Sequence, residues 1–280
     1  MNVTGIFIHP IKSCQRIELE QAEVTPKGFL WDRELMIVDQ HHQFMTQRDY
    51  PQMAKIRVQL SEGMISFSVQ DETIEPFTFE PNLTGNLLNV QIWRDHTIAI
   101  DQGDAVANWL QNALKLSSEQ TCRLVRQSPQ NIRLVNPNYA QRPKDQVSFA
   151  DGYPFLLTNT ASLAELNRRI KANHTVEFLP ISMIRFRPNI VIESEFPFIE
   201  DHWKLIKIGA VYFDVVKPCD RCIVTTTDQL TGKRDEFKEP LKTLSTFRRQ
   251  TGGVMFGQNI IPINTGVIHN GDQVQCLEHR

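Results

Sequence analysis

The chain has 280 residues, 41% hydrophobic and 22% charged, the balance of a soluble globular protein with one large or two ordinary domains. Lys plus Arg is 30 against Asp plus Glu at 32, a formal charge of −2, so the basic excess of a non-specific nucleic-acid binder is absent. No run approaches the roughly 18 apolar residues needed to span a bilayer, and the start MNVTGIFIHPIKSCQ is not a secretory signal. A cytoplasmic location, with no membrane and no nucleic-acid partner, is the expectation.

Residues 1–100 read mainly as short strands. Leu35–Val38 and Phe44–Thr46 flank the polar Asp39–Gln43. Ile56, Val58 and Leu60 alternate before Ser61-Glu62-Gly63, and Ile65, Phe67 and Val69 resume the alternation after it. Val90–Trp93 and Thr97–Ile100 flank Arg94-Asp95-His96. A period of two on both sides of a polar turn predicts hairpins with one buried face, and several of them predict a small antiparallel barrel or sandwich. Val106, Leu110 and Leu114 then repeat at helical spacing from Asp104 onward. This change of period puts a domain boundary near residue 118, dividing the chain into 1–118 and 119–280.

From Cys122 to Lys144 the basic residues Arg123, Arg126, Arg133, Arg142 and Lys144 meet no acid. That stretch is either a solvated loop or a wall that attracts an anion or a docking partner. A second helix follows, with Leu163, Leu166 and Ile170 on one face. Ser162 and Glu165 fit a capping box, and Thr158, Asn159 and Thr160 offer alternative caps upstream. Strands are expected at Asn189–Ile192, Leu205–Ile208 and Val211–Val216, and strand and turn again through Gly266, Gly271 and Val274. The predicted class is mainly β with some α (α+β), in two β-rich units.

Among Cys14, Cys122, Cys219, Cys222 and Cys276, the last-but-one pair stands close together as C-D-R-C, directly after a predicted strand. A redox dithiol belongs at a helix start in a βαβ unit, which is not predicted here. A structural zinc site needs a second pair of ligands, and no second C-x-x-C exists. A lone thiolate on a redox metal is the third reading, and spacing leaves all three open. Arg221, between the cysteines, would favour a thiolate and an anionic neighbour. Lys12-Ser13, Arg33, Arg48 and Arg187 all sit beside turns. Singly each reads as a surface charge, but together with a capped helix start at Thr158–Ser162 they offer the donors a phosphate needs. No glycine-rich nucleotide fingerprint, H-E-x-x-H or G-x-S-x-G is present. Trp31, Trp93, Trp109 and Trp203 are expected to pack in the core or at its edge.

The segments IHPIKSC (8–14), Gly28 with Asp32-Arg33, and FMTQR (44–48) resemble the amino-terminal barrel of MOSC proteins. SFADGYPFLLTN (148–159), FRPNIV (186–191), KPCDRC (217–222), EPLKTLSTFR (239–248) and FGQN (256–259) resemble the MOSC domain itself. The resemblance covers nearly the whole chain and is closest to the bacterial branch that reduces N-hydroxylated bases, similar to the mitochondrial amidoxime-reducing component. It implies an amino-terminal β-barrel-like domain, a β-barrel MOSC domain with peripheral helices, and one molybdenum–molybdopterin cofactor. It further implies reduction of small N-hydroxylated substrates (bases, amidoximes, hydroxylamines) to N–H compounds.

Carried over residue by residue, the resemblance makes Cys222 the metal ligand and catalytic residue. Lys12, Ser13, Arg33 and Arg187 would surround the cofactor's phosphate and pterin, with Arg48, Asp151, Asn159, Asn189 and Arg221 in matching motifs. Bacterial relatives often continue into a ferredoxin domain. No C-x-x-x-x-C-x-x-C run is present, so electrons are expected from a separate flavoprotein reductase or ferredoxin. The main alternative is a carrier of sulfur or of molybdenum cofactor without its own turnover. A zinc-stapled binding module is the third.

Overall fold

Phe155–Asn159 is buried at every position, and so are the first three residues of Ile190–Glu193. Strands apolar on both faces belong inside a sheet with both faces covered. In a computed structural model, which describes residues 1–174 and 179–280, these two strands lie side by side near the middle of a nine-stranded sheet. They run parallel, with Leu157 opposite Ile190. The crossover between them is made by helix α1, Thr160–Asn173, because parallel neighbours need a long connection.

Along this sheet the order is Val274–His279, Trp203–Ile208, Val211–Asp220, Gly253–Pro262, Phe155–Asn159, Ile190–Glu193, Asn2–Ile8 and Ile17–Leu19. A three-stranded sheet of Gly266–His269, Gln21–Thr25 and Gly28–Phe29 packs on the same core, in which Phe29, Phe155, Trp203 and Phe213 are buried. Gly257 has a left-handed φ of 78°, and a Cβ there would lie 2.7 Å from the Leu157 carbonyl oxygen. Only glycine allows the long strand to bend that close to its neighbour. Its partner Val211–Asp220 shifts register between Val215 and Lys217, and again between Pro218 and Asp220. Such irregularities re-aim side chains. Here they deliver Cys219 and Asp220 to the strand end, and Cys222 then caps the 3-10 turn Ile223–Thr226.

The hairpin readings hold for Arg57–Ser61 with Met64–Ser68, and for Leu87–Ile92 with Asp95–Asp101. The second hairpin turns on Trp93-Arg94, one residue earlier than the sequence suggests, which moves Trp93 out of the strand. Phe44–Thr46 is no strand: Phe44 makes one isolated bridge to Val38. The Thr46 hydroxyl accepts from the Arg48 amide, turning the chain instead. A helix does form at Asp104–Ala113, and it buries Val106 and Leu110 against Leu35 and Ile37.

Strands cross the expected boundary near residue 118. Asn2–Ile8 pairs with Ile190–Glu193 in the large sheet, while Cys122–Gln127 joins Leu35–Asp39 and Asp95–Asp101 in a four-stranded one. The α1 cap differs too. Asn159, extended at the end of its strand, accepts from the Ala161 amide at 3.0 Å. Ser162 instead donates to the buried Glu200 carboxylate at 2.7 Å, and Glu165 pairs with Arg168 and Arg169, so the capping box does not form. An Asn already in extended geometry satisfies the helix start one turn earlier.

The basic stretch is not an open positive wall. Arg123 pairs with Asp101 and Asp104, Arg126 with Glu34, Arg133 with Asp95, and Arg142 with Asp145 and Asp214. Acids, mostly brought in from other elements, pair four of its five cations, so the reading of an unopposed positive wall does not hold there.

Candidate functional site

A cavity of about 470 Å³ opens where the loops after several strands meet. Its cationic lining is Lys12, Arg33, Arg48, Arg187 and Arg221, against the carboxylates of Asp151 and Asp220. Four of its lining residues, Ser13, Arg33, Trp93 and Arg187, have φ of 70°, 50°, 55° and 55°. Each left-handed non-glycine residue costs on the order of 1 kcal/mol, and such strain gathers where function requires a particular side-chain direction.

One wall is built on Asp32. This buried carboxylate accepts from the His9 amide at 2.7 Å and from Arg33 Nη1 at 2.6 Å. Burial alone would raise its pKa, but Arg33 and His9 outweigh it and hold Asp32 at about 2. His9 is driven well below its usual range by burial and then by Arg33 and Arg187, so it is neutral. Arg33 also donates to Asn189 Oδ1 at 3.2 Å and to the Arg187 carbonyl at 3.1 Å. Asn189 in turn takes the Leu156 amide and donates to the Phe7 carbonyl, which ties the Arg33 loop to two strands of the large sheet. Arg187 Nη1 is held by the Cys14 carbonyl at 2.8 Å and Gln229 Oε1 at 3.1 Å.

On the opposite wall the buried Lys12 donates to the Phe149 carbonyl at 2.8 Å and to Asp151 at 2.5 Å. Burial lowers its pKa to about 8 although Asp151 pulls the other way. Desolvation opposes the Asp151 carboxylate, but Lys12, Arg48 and the Trp93 indole hold it below the usual carboxylate range. Trp93 donates to Asp151 at 3.2 Å, and its ring lies 4.4 Å from the Arg48 guanidinium. Arg48 Nη2 reaches Cys222 Sγ at 3.1 Å.

The second cysteine is also guarded by an arginine: Arg221 Nη1 donates to Cys219 Sγ at 2.8 Å, while its Nη2 donates to the Phe186 carbonyl. Burial nonetheless pushes the Cys219 thiol up, outweighing Arg221. The expected thiolate-favouring effect of Arg221 thus does not prevail at Cys219. Burial also raises Cys14 to about 12 and Cys122 to about 11, which leaves both as inert thiols.

The structure brings Lys12, Ser13, Arg33, Arg48, Asp151, Arg187, Asn189, Arg221 and Cys222 to one cavity. Asn159 is not among its lining residues. It caps α1, and its amide donates to Glu200 at 2.9 Å and Ser194 at 2.7 Å. The helix start is accordingly spent on structure, not on the cavity.

Sequence reasoning missed Trp93, placed among packing residues but 41% exposed and part of the lining. Tyr153 was missed as well, and so was the buried Gln47–Gln229 pair, whose amides exchange hydrogen bonds at 3.0 and 2.9 Å. Gln47 also donates to the Ser13 carbonyl at 2.6 Å, so one amide pair ties down the loops of Ser13, Arg48 and Arg187. A tryptophan beside Arg-Asp in a hairpin turn was the available signal for Trp93. Nothing local marks the glutamines.

Arg48, Arg187 and Arg221 have no carboxylate within ion-pair distance among the described residues, and Arg221 Nε is buried without a partner. Crowded, partly desolvated cations call for an anion. Among the described residues no three His, Cys, Asp or Glu side chains converge as metal ligands. A metal here would take a thiolate from the chain and its remaining ligands from an anionic organic group, so the donor set fits a pterin-dithiolene-type metal cofactor.

Residues 1–117 match the MOSC N-terminal beta barrel domain and residues 144–275 match the MOSC domain. The chain belongs to the MOSC family. It is similar to mitochondrial amidoxime-reducing component 1 of Mus musculus, at 32% identity, and of Homo sapiens, at 33%, each across 98% of this chain and 82% of the relative. It is also similar to the molybdenum cofactor sulfurase of Oryza sativa subsp. japonica, at 28% identity over 92% of this chain but 32% of that protein. No helix among the described residues is long and apolar enough to cross a membrane.

Proposed function

We propose that this chain is an oxidoreductase that holds one molybdenum–molybdopterin cofactor in the cavity and reduces small N-hydroxylated substrates (N-hydroxylated bases, amidoximes or hydroxylamines) to their N–H compounds. The observation that carries the reading is the pairing of an under-compensated cationic cavity with a thiol at its edge, Cys222, and no protein-built metal cluster among the described residues. When bound, the cofactor supplies a metal that cycles between oxidation states and accepts oxygen from N–OH.

The chain supplies binding and orientation. Arg187, Arg33 and Lys12 attract the anionic group, Cys222 offers the thiolate, and Asn189 keeps Arg33 in place. Asp151, held ionised by Lys12 and Trp93, accepts hydrogen bonds at the cavity edge and does not donate a proton near neutral pH. The overall change takes two electrons and two protons and releases water. These 280 residues carry no nucleotide fingerprint and no ferredoxin cysteine run, which supports electron delivery from outside them, by a flavoprotein reductase or a ferredoxin.

Metal analysis and a turnover assay test this together. The expectation is molybdenum near stoichiometry without stoichiometric zinc, with amidoxime reduction supported by reduced viologen and not by NADPH alone. Cofactor bound without any turnover would make the protein a carrier. Stoichiometric zinc without molybdenum would overturn the reading.

A further inference from the structure

By its place beside a turn Arg48 reads as one of the cations that could hold a phosphate, but its contacts point elsewhere. Its Nη2 lies 3.1 Å from Cys222 Sγ, short for a nitrogen–sulfur contact, and it has no carboxylate partner among the described residues. Its Nη2 hydrogen bond goes to that sulfur, while its charge also acts through space on the Asp151 carboxylate. The other face of the guanidinium rests on the Trp93 ring at 4.4 Å.

Trp93 is itself fixed three ways. Its Nε1 donates to Asp151 at 3.2 Å, its ring meets Phe44 edge-on at 4.8 Å, and its backbone is left-handed at φ 55° in a two-residue turn. A bulky residue in that region is unusual and requires a compensating arrangement. The Arg48 backbone is tied as well, its amide to Thr46 Oγ1 at 3.0 Å and its carbonyl to Arg234 Nη2. Everything around Arg48 holds one guanidinium between an aromatic face and a thiol.

A charge-assisted N–H···S bond draws electron density from a thiolate and weakens its donation to a metal. Hydrogen bonds to ligand sulfur and nearby positive charge both favour the reduced state, raising the reduction potential. We infer that Arg48, positioned by Trp93, tunes the Cys222 thiolate and raises the reduction potential of the metal that Cys222 binds, rather than clamping the cofactor's phosphate. The inference rests on Cys222 being the metal ligand.

The test is a potentiometric titration of the holoenzyme, followed by the paramagnetic signal of the half-reduced metal, on wild type and four variants. Arg48→Gln is expected to retain its cofactor and to shift the potential negative, by about tenfold in the one-electron equilibrium constant, ~59 mV. Arg48→Lys, which keeps charge but loses the planar fork, should fall between. Trp93→Phe should stay near wild type, and Trp93→Leu should shift in the same direction as Arg48→Gln by less. Arg48→Gln at the wild-type potential, or stripped of cofactor, overturns the inference. Metal-edge X-ray absorption on Cys222→Ser separates the two layers. Unchanged sulfur coordination sinks the ligand assignment and the inference with it. Loss of one sulfur, with potentials indifferent to Arg48, sinks the inference alone.

Discussion

Arg33 donates through Nη2 to the main-chain carbonyl of Arg187 at 3.1 Å, and both residues hold left-handed backbones. Two like charges are thus locked side by side by a bond that ignores their charge. Burial and then Arg33 lower the pKa of Arg187 to about 9, so this guanidinium is held in a position that its own charge disfavours. Such an arrangement is stable when the fold over-determines it, and an anion placed between the two relieves it.

Replacing Arg187 with Ala should therefore weaken retention of the cofactor. A hydrogen bond to a charged group contributes roughly 1.5–3 kcal/mol, about ten- to a hundredfold in affinity. Pterin fluorescence after denaturation of the purified protein reads the bound fraction. Full occupancy in Arg187→Ala would count against its place in the anion site.

Asp32 predicts an acid limb to stability. Its folded pKa of about 2 lies below the ordinary 3.8, so its contribution is complete above about pH 4 and is lost as pH falls through about 2. The shift corresponds to about 2 kcal/mol. Asp32→Asn should lower the denaturation midpoint near neutral pH, with the difference from wild type vanishing toward pH 2. A difference that stays constant across that window would show that the carboxylate's charge is not what stabilises the wall.

Lys12 should make anion binding pH-dependent. Its pKa is lowered from 10.5 to about 8, chiefly by burial. In the folded protein the penalty for a buried ammonium is fully present below about pH 8 and relieved as pH rises toward 10.5. A bound anion restores the ammonium, so binding takes up a proton above about pH 8, and affinity falls by up to about tenfold per pH unit there. Calorimetric titration of cofactor-free protein with molybdopterin checks this. Lys12→Arg should flatten the profile, and a flat wild-type profile would contradict the assignment.

Behind the Arg187 side chain lies a second cavity of about 10 Å³, lined by His9, Gln15, Arg16, Ile184, Arg187 and Gln229. His9 Nδ1, Arg16 Nε and Arg187 Nη2 are all buried without partners. A space of roughly this size holds one water when two to four polar groups surround it. A high-resolution crystal structure should show an ordered water touching these nitrogens. Clear density for none would leave the three groups unexplained by hydration.

Much of the frame was legible in the residues because local patterns report local structure. The alternation at Ile56–Leu60 and Ile65–Val69 produced the hairpin it implied, and Val106, Leu110 and Leu114 produced the helix. Cys219 and Cys222 of C-D-R-C, after an apolar strand, line the cavity, as do Lys12, Arg33, Arg48 and Arg187 beside turns. The motif resemblance, read across distant segments, supplied the family.

What needed the tertiary structure is what connects residues far apart in the chain. Gln47 and Gln229 meet across 182 positions, Arg33 and Asn189 across 156, and Arg48 and Cys222 across 174. The basic stretch looked unopposed because its neutralising acids, Asp95, Asp101 and Asp214 among them, come from other strands. Asn159 lay in a matching motif yet serves a helix start, and Trp93 looked like packing until a one-residue shift of the hairpin turn set it over Arg48. Periodicity records which face of an element is buried. Which charge meets which, and what a side chain faces, follows from sheet register and loop closure, which bring together groups whose sequence separation carries no local signal.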